Sequence, residues 1–424
     1  MLRFAISPTS DLKLDTLRIA LYNYIVAKQR GEDFIVRIED MEKERVIDGM
    51  DDEILDLLAL FGVQFSQVIH QSQNVRFHSA MALQLVHERK AFSCFCSDNW
   101  LENKREEAEQ AGRVYSYDDA CRNLPVELII DNTNPFRIRV VRPDADIIIH
   151  DKILGNKKFI PNAVDSFVIL NQDKTPTYNF SVAIDDMLSD ISLIIRSEEF
   201  IEETPKQEYI RSALKYKKQV EYAHLPLMNN LDSAPSVKAL LKEGFLPNAI
   251  LNYLVSIGNK VPQEIFTLQE AIGFLDLERV SKTPVNFDIN VLKQVNRAHL
   301  KALDTKELSR FVGFADAEIG ALARIYLDEV TTTKELKAKI ASIFAERNIP
   351  KAFAKECSIL INIITNTPYF EKYDAFKKET LKASGLESER YEIALRLLLT
   401  NATEGPDIAE IYQHIKNYIG EIVK

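Results

Sequence analysis

Residues 1–40, MLRFAISPTSDLKLDTLRIALYNYIVAKQRGEDFIVRIED, decide the fold of this chain. A short apolar run stops at Pro8, and apolar residues then recur at helical spacing from Leu17 to Tyr24. A second apolar run follows the turn at Gly31. Because strand, helix and strand alternate, we expect a βαβ unit in a parallel sheet, with ligands bound at the carboxyl ends of its strands.

The pattern of the chain changes twice after this unit. A charged helical stretch and several short apolar runs indicate an inserted α+β segment. The runs DSFVIL (165–170) and DISLIIRSEE (190–199) then predict buried strands that resume the parallel sheet. Past Ala223 the amphipathic patterns end at glycines, which predicts an all-helical remainder with breaks near Pro284 and Pro350.

Composition excludes several classes of protein. The 424 residues are 46% hydrophobic and 27% charged, so the chain can bury several cores but has no segment apolar enough to span a bilayer. The first residues lack a signal-peptide pattern, and four cysteines do not make a disulfide framework, so we expect a cytoplasmic protein. A net charge of −10 argues against non-specific coating of nucleic acid but allows docking on one folded RNA.

Several stretches of the chain resemble the bacterial-type glutamyl-tRNA synthetases, which are class I aminoacyl-tRNA synthetases. RFAISPT and FIVRIED are similar to the family's first two strands, and HQSQNVRFH and AFSCFCS to the entry of its inserted acceptor-binding domain. DSFVILNQDKTPTYNFSVAIDDML and LIIRSEE resemble the return to the sheet. HLPLM, PSVKALLKEGFLPNAILNYLVSIGNK and FDINVLKQVNRAHL resemble the stem-contact region, so the likeness covers roughly residues 2–300.

The resemblance implies an α/β Rossmann-like catalytic domain with an inserted α+β domain, followed by all-α stem-contact and anticodon-binding domains. The expected boundaries are 1–88 and 163–222 for the two Rossmann-like halves, 89–162 for the insertion, 223–308 for the stem-contact domain and 309–424 for the anticodon-binding domain. It also implies tRNA and glutamate, or a similar amino acid, as partners. We expect a monomer with no membrane partner.

The family's amino-acid pocket is largely retained in this sequence. An arginine can bind a carboxylate through two parallel hydrogen bonds, and a glutamate can attract an ammonium group. The alternative interpretation is a charged strand end and an ion pair at the sheet edge. Two positions depart from the family, Val182 in place of a polar or small residue and Phe200 in place of a histidine. By resemblance, the amino-acid-binding positions are Arg3, Ala5, Ser7, Glu39, Tyr178 and Arg196.

The family's first nucleotide signature, His-Ile-Gly-His or a close variant, is degraded. Lys13, Leu14, Asp15 and Thr16 stand at its positions, and Ser10 replaces the preceding glycine. A lysine can still serve a phosphate, but the Asp15 carboxylate repels one. Because helix N-termini favour anions, we expect Asp15 to occupy the place of the phosphate.

The second signature, a mobile loop with the sequence Lys-(Leu/Met)-Ser-Lys-Arg, is missing. The residues after HLPLM are Asn229, Asn230, Leu231, Asp232, Ser233 and Ala234, and none of them is a lysine or an arginine. The next cation is Lys238, which we assign to the following helix. Losing cations that neutralise pyrophosphate is expected to lower the rate of adenylate formation by orders of magnitude.

Three cysteines, Cys94, Cys96 and Cys121, have the spacing of a zinc site that some family members carry. Asn123 replaces the histidine that completes that site, so the sequence favours three reduced thiols, although Tyr117 or Asp118 would be near enough to supply a fourth ligand. The seven histidines show no metal-binding spacing, and we interpret His224 as a capping or packing residue.

Three interpretations of function follow. The residues favour a glutamyl-tRNA synthetase-like protein that binds tRNA and a glutamate-like amino acid, with ATP-dependent activation of glutamate lost or strongly weakened. The ancestry favours an active glutamate–tRNA ligase, which would use ATP and Mg²⁺. The third interpretation, a non-tRNA enzyme on the same scaffold, has no residue in its favour.

Overall fold

The computed structural model describes residues 1–231 and 234–423, without the side chain of Val126. The chain begins with β1 (Leu2–Ile6), α1 (Leu14–Arg30) and β2 (Phe34–Ile38), which confirms the predicted βαβ unit. Strands β1 and β2 pair in parallel from Leu2↔Phe34 to Ile6↔Ile38. Helix α1 ends at Gly31 because this residue takes the left-handed conformation, with φ 63°, that glycine adopts without strain.

The first sheet continues past β2. Helix α2 (Met50–Leu60) crosses to β3 (Gln67–His70), which pairs in parallel with β2, so the strand order is β1-β2-β3. Helix α3 (Val75–His87) follows. The carboxyl ends of β1 and β2 therefore lie side by side, where the sequence predicts ligand binding.

An antiparallel sheet forms the middle of the chain. It joins β4 (Ala91–Cys94), β5 (Arg137–Val140) and β8 (Val168–Leu170) in the order β4-β5-β8. Helices α4 (Asp98–Gln110), α5 (Val126–Ile130) and α6 (Pro161–Val164) lie along the chain between these strands.

The prediction that residues 165–170 return to the parallel sheet is wrong. These residues supply β8, which pairs antiparallel with β5, and the Val140 N–H donates to the Phe167 carbonyl at 3.0 Å. A short apolar run indicates a buried strand but does not specify the partner strand or its direction.

A second sheet with parallel pairing carries the other half of the site. It contains β6 (Ile147–Asp151), β7 (Gly155–Phe159), β9 (Leu193–Ser197) and β10 (Glu221–Leu225) in the order β7-β6-β10-β9. Strands β9 and β10 pair in parallel, and β6 joins β10 in parallel where Asp151 meets Tyr222. Helices α7 (Tyr178–Leu188) and α8 (Thr204–Ala213) flank β9 in sequence. The strand predicted within residues 190–199 is present as β9, but it belongs to a sheet separate from β1-β2-β3, so it does not resume the first parallel sheet.

The remainder of the chain is helical except for one short pairing of β11 (Met228–Asn229) with β12 (Val285–Asn286). Among the described residues, no helix runs through Pro284 or Pro350, where the sequence predicts breaks between helices. The helices are α9 (Val237–Lys242), α10 (Pro247–Ser256), α11 (Leu268–Phe274), α12 (Ile289–Ala302), α13 (Thr305–Val312), α14 (Ala317–Ile325), α15 (Thr333–Phe344), α16 (Ala354–Thr365), α17 (Tyr373–Ser384), α18 (Ser388–Thr400), α19 (Ile408–Ile415) and α20 (Ile419–Ile422).

The chain divides into two compact units. The first contains Met1–Val237 with two later segments, Leu254–Pro262 and Thr267–Phe287. The second contains Lys238–Tyr253, Gln263–Phe266 and the chain from Asp288 onward, and its core is a cluster of buried, mostly aliphatic and aromatic side chains drawn from α10 and from α12 to α20. In the described part of the chain, every helix is too short or too polar to cross a membrane.

Candidate functional site

A cavity of about 240 Å³ opens at the carboxyl ends of β1, β2 and β9 in the first unit. All six residues that the resemblance assigns to amino-acid binding line it, and so do Asp15 and Thr16. Lys13 is exposed and is not part of the lining. The lining residues are Arg3, Phe4, Ala5, Ile6, Ser7, Asp15, Thr16, Ile19, Arg37, Glu39, Tyr178, Ile195, Arg196, Ser197, Glu199 and Phe200.

Two arginines and two acids form a buried network on one wall of the cavity. Asp186, on α7, accepts hydrogen bonds from Arg3 Nε at 3.1 Å and from Arg37 Nη1 at 2.6 Å. Arg37 also donates from Nη2 to Glu39 Oε1 at 3.0 Å. Burial would raise the pKa of Asp186, but the charges of Arg3 and Arg37 hold it far below its usual range. The network fixes Glu39 at the cavity through the Arg37 guanidinium.

Arg196 differs from these arginines because its hydrogen-bond partners are neutral. Its Nη1 donates to Gln207 Oε1 at 3.0 Å, and its Nη2 donates to Thr204 Oγ1 at 2.7 Å and to the Phe200 carbonyl at 3.3 Å. Within the described residues it has no carboxylate partner, and burial lowers its pKa. A buried guanidinium without a hydrogen-bonded carboxylate can pair with an anionic group, since pairing would offset the cost of its burial.

Aromatic rings close one side of the cavity around Arg196. The guanidinium lies over the Phe200 ring at 5.6 Å, and Phe200 packs against Tyr178 with ring centroids 6.0 Å apart. Tyr178 keeps 42% of its surface exposed, so its ring stands at the opening. Val182, the other departure from the family, is buried in α7 and is not among the lining residues. Of the two departures, Phe200 is therefore the one that lines the cavity.

The N-terminus of α1 carries its own anion. Asp15 Oδ1 accepts a hydrogen bond from the Thr16 backbone N–H at 2.7 Å and contacts the Thr16 hydroxyl at 3.2 Å. The free N–H groups in the first turn of a helix are the donors that bind phosphates at such sites. One of these donors is already satisfied by the Asp15 carboxylate, which also contributes a negative charge to the cavity lining.

The segment that follows Met228 lacks the features of a cationic loop in the part that can be described. Asn229 ends β11, Asn230 has a φ of 64°, and Lys238 lies in α9, as the sequence predicts. Asp232 and Ser233, which belong to the predicted signature position, lie outside the described residues.

The three cysteines converge in the antiparallel segment of the chain. The Sγ atoms of Cys94, Cys96 and Cys121 all lie within 4.8 Å of one another. The Tyr117 hydroxyl is 3.4 Å from Cys94 Sγ and 3.3 Å from Cys96 Sγ. Asp118 is exposed, and its carboxylate accepts the Ala120 N–H instead. Of the two fourth ligands that the sequence allows, Tyr117 is the one beside the sulfurs.

The pKa values of two thiols in this cluster, Cys94 and Cys96, are shifted in opposite directions. Burial would raise the pKa of Cys94, but the Tyr117 hydroxyl and the Arg139 guanidinium hold it below its usual value. Burial raises the pKa of Cys96 to about 12. Three sulfurs are ligands that tetrahedral zinc accepts when a fourth group completes the tetrahedron.

Sequence reasoning missed Arg37 and Asp186, which organise the amino-acid wall. A signal was present for both. Arg37 interrupts an apolar strand, and Asp186 follows Asp185 within an apolar helical run. Charged residues at buried positions need a partner, so each of these two residues predicts a buried partner of opposite charge, although the sequence does not say which one.

Comparisons with known proteins point to one family. The family model for class I tRNA synthetases (E and Q), catalytic domain, matches residues 1–294. The chain is 57% identical over 432 residues to "Glutamate--tRNA ligase 2" of Sulfurimonas denitrificans, with 100% of both chains covered. It is 46% identical over 432 residues to "Glutamate--tRNA ligase 1" of Nitratiruptor sp., again with 100% of both covered.

Solved structures share the fold. The crystal structure of a glutamate tRNA ligase from Elizabethkingia meningosepticum in complex with its amino acid has a TM-score of 0.83 to this chain at 24% identity. The match covers 99% of this chain and 97% of that one. The likeness places an α/β catalytic domain before helical domains along the chain.

Proposed function

The chain belongs to the class I tRNA synthetases for glutamate and glutamine, and from this premise we propose that it binds tRNA and a glutamate-like amino acid, with ATP-dependent activation of glutamate lost or strongly weakened. The observation that carries the proposal is the Asp15 carboxylate, which takes an N-terminal donor of α1 inside the cavity. The amino-acid end of the same cavity keeps its charged groups.

Retention of amino-acid binding is supported by the unpaired guanidinium of Arg196 and by Glu39 on the adjacent strand end. The first would bind a carboxylate of the ligand, and the second would attract its ammonium group. Arg3 donates from Nε and Nη2 to Asp186. Its Nη1 makes no hydrogen bond to a described residue. These groups suit a small amino acid with an additional negative charge.

Loss of activation is supported by the charge at the other end. The cations of the cavity lining are arginines at the amino-acid end, and two of them are already paired with acids. Two like charges about 4 Å apart repel by roughly 1 kcal/mol in water and by more in a drier cleft. An absent phosphate clamp typically lowers the rate by about 10²–10³-fold. The two defects would act on the same triphosphate.

A second candidate is an active glutamate–tRNA ligase, and the full-length identity of 57% to a protein of that name favours it. In that case ATP and Mg²⁺ would be needed, and the chain's own residues would have to stabilise pyrophosphate without a lysine loop. The alignment to that relative spans 432 positions, whereas this chain has 424 residues, so the alignment includes positions that the chain lacks.

ATP–pyrophosphate exchange with glutamate and tRNA present separates the two candidates. The proposal predicts exchange at background with micromolar enzyme, together with measurable binding of L-glutamate by calorimetry. Arg196→Lys is the matched control, because it keeps the charge and loses the planar guanidinium. Arg3→Ala is less suitable, since it would leave Asp186 without one of its cations. Exchange above background that Arg196→Lys removes would establish the ligase and refute the proposal.

Binding of tRNA is proposed for the inserted segment 89–162 and for the helical parts 223–308 and 309–424. Filter binding of unfractionated tRNA at low salt tests it, because electrostatic contacts are strongest there. A dissociation constant below about 10 μM that rises steeply with salt is expected. Absence of binding under these conditions would remove tRNA from the proposal and leave the amino acid as the ligand.

For the cysteine cluster we propose a structural zinc ion held by Cys94, Cys96, Cys121 and Tyr117, which revises the sequence interpretation of three reduced thiols. The convergence of the three sulfurs supports it. Bound zinc would cross-link β4 to the chain before α5 and supply no chemistry to the cavity. One zinc per chain by elemental analysis, lost in Cys121→Ser but kept in Cys357→Ser, is expected. Metal-free protein with an unchanged melting temperature would rule the ion out.

A further inference from the structure

A buried chain of hydrogen bonds connects Arg196 to a carboxylate that does not line the cavity. Asp151 Oδ2 lies 2.6 Å from His224 Nδ1, and His224 Nε2 lies 3.1 Å from Arg196 Nε. The residues Asp151, His224 and Arg196 are exposed by 6%, 0% and 6%, so all three are buried. Three polar side chains buried in contact are costly unless each hydrogen bond is made, so their arrangement has a single pattern of donors and acceptors.

That pattern follows from the chemistry of the partners. The guanidinium of Arg196 only donates, so His224 Nε2 must carry the lone pair that accepts from Nε. The imidazole proton is then on Nδ1, where the Asp151 carboxylate accepts it. Burial lowers the pKa of His224, although the hydrogen bond to Asp151 opposes the shift. The imidazole is therefore neutral and oriented.

Asp151 is itself held in place by the backbone. Its Oδ1 accepts the N–H groups of Ile153 at 2.9 Å and Leu154 at 2.8 Å, and its Oδ2 also accepts the His224 N–H at 3.0 Å. These bonds keep the carboxylate ionised, and its pKa lies below the ordinary value even though burial would raise it. The acid that anchors the imidazole cannot rotate without breaking them.

The remaining donors of Arg196 are almost fully used. Nη2 donates both of its protons, to Thr204 Oγ1 and to the Phe200 carbonyl, and Nη1 donates one proton to Gln207. Of the five N–H groups of an arginine, one on Nη1 is left without an acceptor in the described residues. A guanidinium fixed at Nε, Nη1 and Nη2 holds that last N–H in one direction.

We propose that His224, which Asp151 anchors, is a positioning residue that aims the remaining Nη1–H of Arg196 at a carboxylate of the ligand. The inference rests on the proposed binding of a glutamate-like amino acid, and it assigns His224 a role that packing alone does not require. Asp151 comes from the end of β6, so the hairpin of β6 and β7 contributes to the pocket through this relay.

Two substitutions of His224 separate its hydrogen bond to Asp151 from the contacts that its Nε2 makes with Arg196 and with Thr204 Oγ1, the latter at 3.0 Å. In His224→Asn the amide reaches the position of Nδ1, so it can donate to Asp151 but offers nothing to Arg196. In His224→Gln the amide oxygen reaches the position of Nε2, so it can accept from Arg196 but loses the anchor. We expect L-glutamate to bind about tenfold more weakly to His224→Asn, and within about threefold of wild type to His224→Gln.

The selectivity of binding distinguishes positioning from general damage. Calorimetry with L-glutamate, L-glutamine and L-isoglutamine compares ligands that keep or lack each carboxylate. In His224→Asn the preference for glutamate over one of the two amides is expected to fall about tenfold. Equal weakening of all three ligands in both variants, or wild-type affinity in His224→Asn, would overturn the proposal.

A measurement without ligand keeps this inference separate from the proposed function. In protein labelled with ¹⁵N-arginine, the Nε–H signal of Arg196 is assigned by its loss in Arg196→Lys. We expect a slowly exchanging signal in wild type and in His224→Gln, and fast exchange in His224→Asn. Fast exchange in wild type would overturn the relay. A protected signal in a protein that binds no glutamate would instead refute the proposed amino-acid binding and leave the hydrogen-bond relay standing.

Discussion

The two ends of one cavity differ in how they use charge. At the amino-acid end, Arg3 and Arg37 enclose Asp186, and Arg196 is left without a carboxylate partner among the described residues. At the other end, Asp15 satisfies a donor of α1 with a group from its own chain. At the first end, the Arg196 guanidinium can pair with an anionic ligand. At the other end, the Asp15 carboxylate already occupies the anion site at the N-terminus of α1.

This difference shows that some of the charged residues in the cavity are explained by the stability of the fold, whereas others indicate a ligand. Arg3, Arg37 and Asp186 are buried and mutually dependent, so folding alone explains why they persist together. The ion-pair network does not explain Arg196, because its hydrogen-bond partners are neutral and no bonded carboxylate offsets the burial of its charge. Arg196 is therefore the residue whose retention indicates a ligand.

The largest effect is expected from breaking the amino-acid end at Asp186. Asp186→Ala leaves two buried guanidinium groups without their shared acid, so the free energy of unfolding should fall by about 3–5 kcal/mol. Urea unfolding followed by circular dichroism measures it. Glu102→Ala is the matched control, because Glu102 pairs with Arg105 on an exposed helix and should cost at most about 0.5 kcal/mol. Similar losses for both variants would show that the network is not structural.

The same acid predicts how stability depends on pH. The pKa of Asp186 is depressed in the folded protein, so its contribution is fully present above the pKa of an unfolded aspartate, about 4, and is lost as the pH falls. The difference in unfolding free energy between wild type and Asp186→Asn should therefore shrink below about pH 4. A constant difference down to pH 3 would contradict the assignment.

A smaller effect is expected from removing the unpaired charge. Arg196→Ala should weaken binding of L-glutamate by about 100-fold, equivalent to about 3 kcal/mol, because a ligand carboxylate would lose its charged partner. The free energy of unfolding should fall less than in Asp186→Ala, since the substitution leaves no buried charged group without its ion-pair partner. Arg279→Ala, at an exposed position, serves as the control in calorimetry. Unchanged affinity would move the ligand contact elsewhere in the cavity.

The contrast between the two ends was only partly visible in the sequence. Apolar periodicity and the turn at Gly31 predicted the βαβ unit, and the resemblance to the synthetase family implied six of the residues that line the cavity. The partner of Arg37 was not predictable, because a pairing across 149 residues of sequence leaves no local spacing. The same limit applied to β8, whose apolar pattern did not reveal an antiparallel partner, and to His224, whose role depends on contacts with Asp151 and Arg196.

The smallest effect is expected at the nucleotide end, and two substitutions of Asp15 test whether its charge or its volume excludes a phosphate. Asp15→Asn keeps an acceptor for the Thr16 N–H and removes the charge, whereas Asp15→Gly removes both. If charge dominates, both should bind ATP up to about tenfold more tightly, because relief of one like-charge contact is worth roughly 1 kcal/mol or somewhat more. If volume dominates, only Asp15→Gly should gain affinity.

Neither substitution should restore ATP–pyrophosphate exchange. The residues that follow Met228 contain no lysine or arginine before Lys238, which lies in α9. The transition state would therefore still lack cationic side chains that stabilise its phosphate charge. ATP affinity is measured by calorimetry, and exchange is measured on the same samples with glutamate and tRNA present. Exchange above background in Asp15→Gly alone would show that the missing loop is not disabling. In that case the Asp15 side chain alone would account for the loss of activation. Tighter ATP binding without exchange would instead show that activation is lost through both Asp15 and the missing lysine loop after Met228.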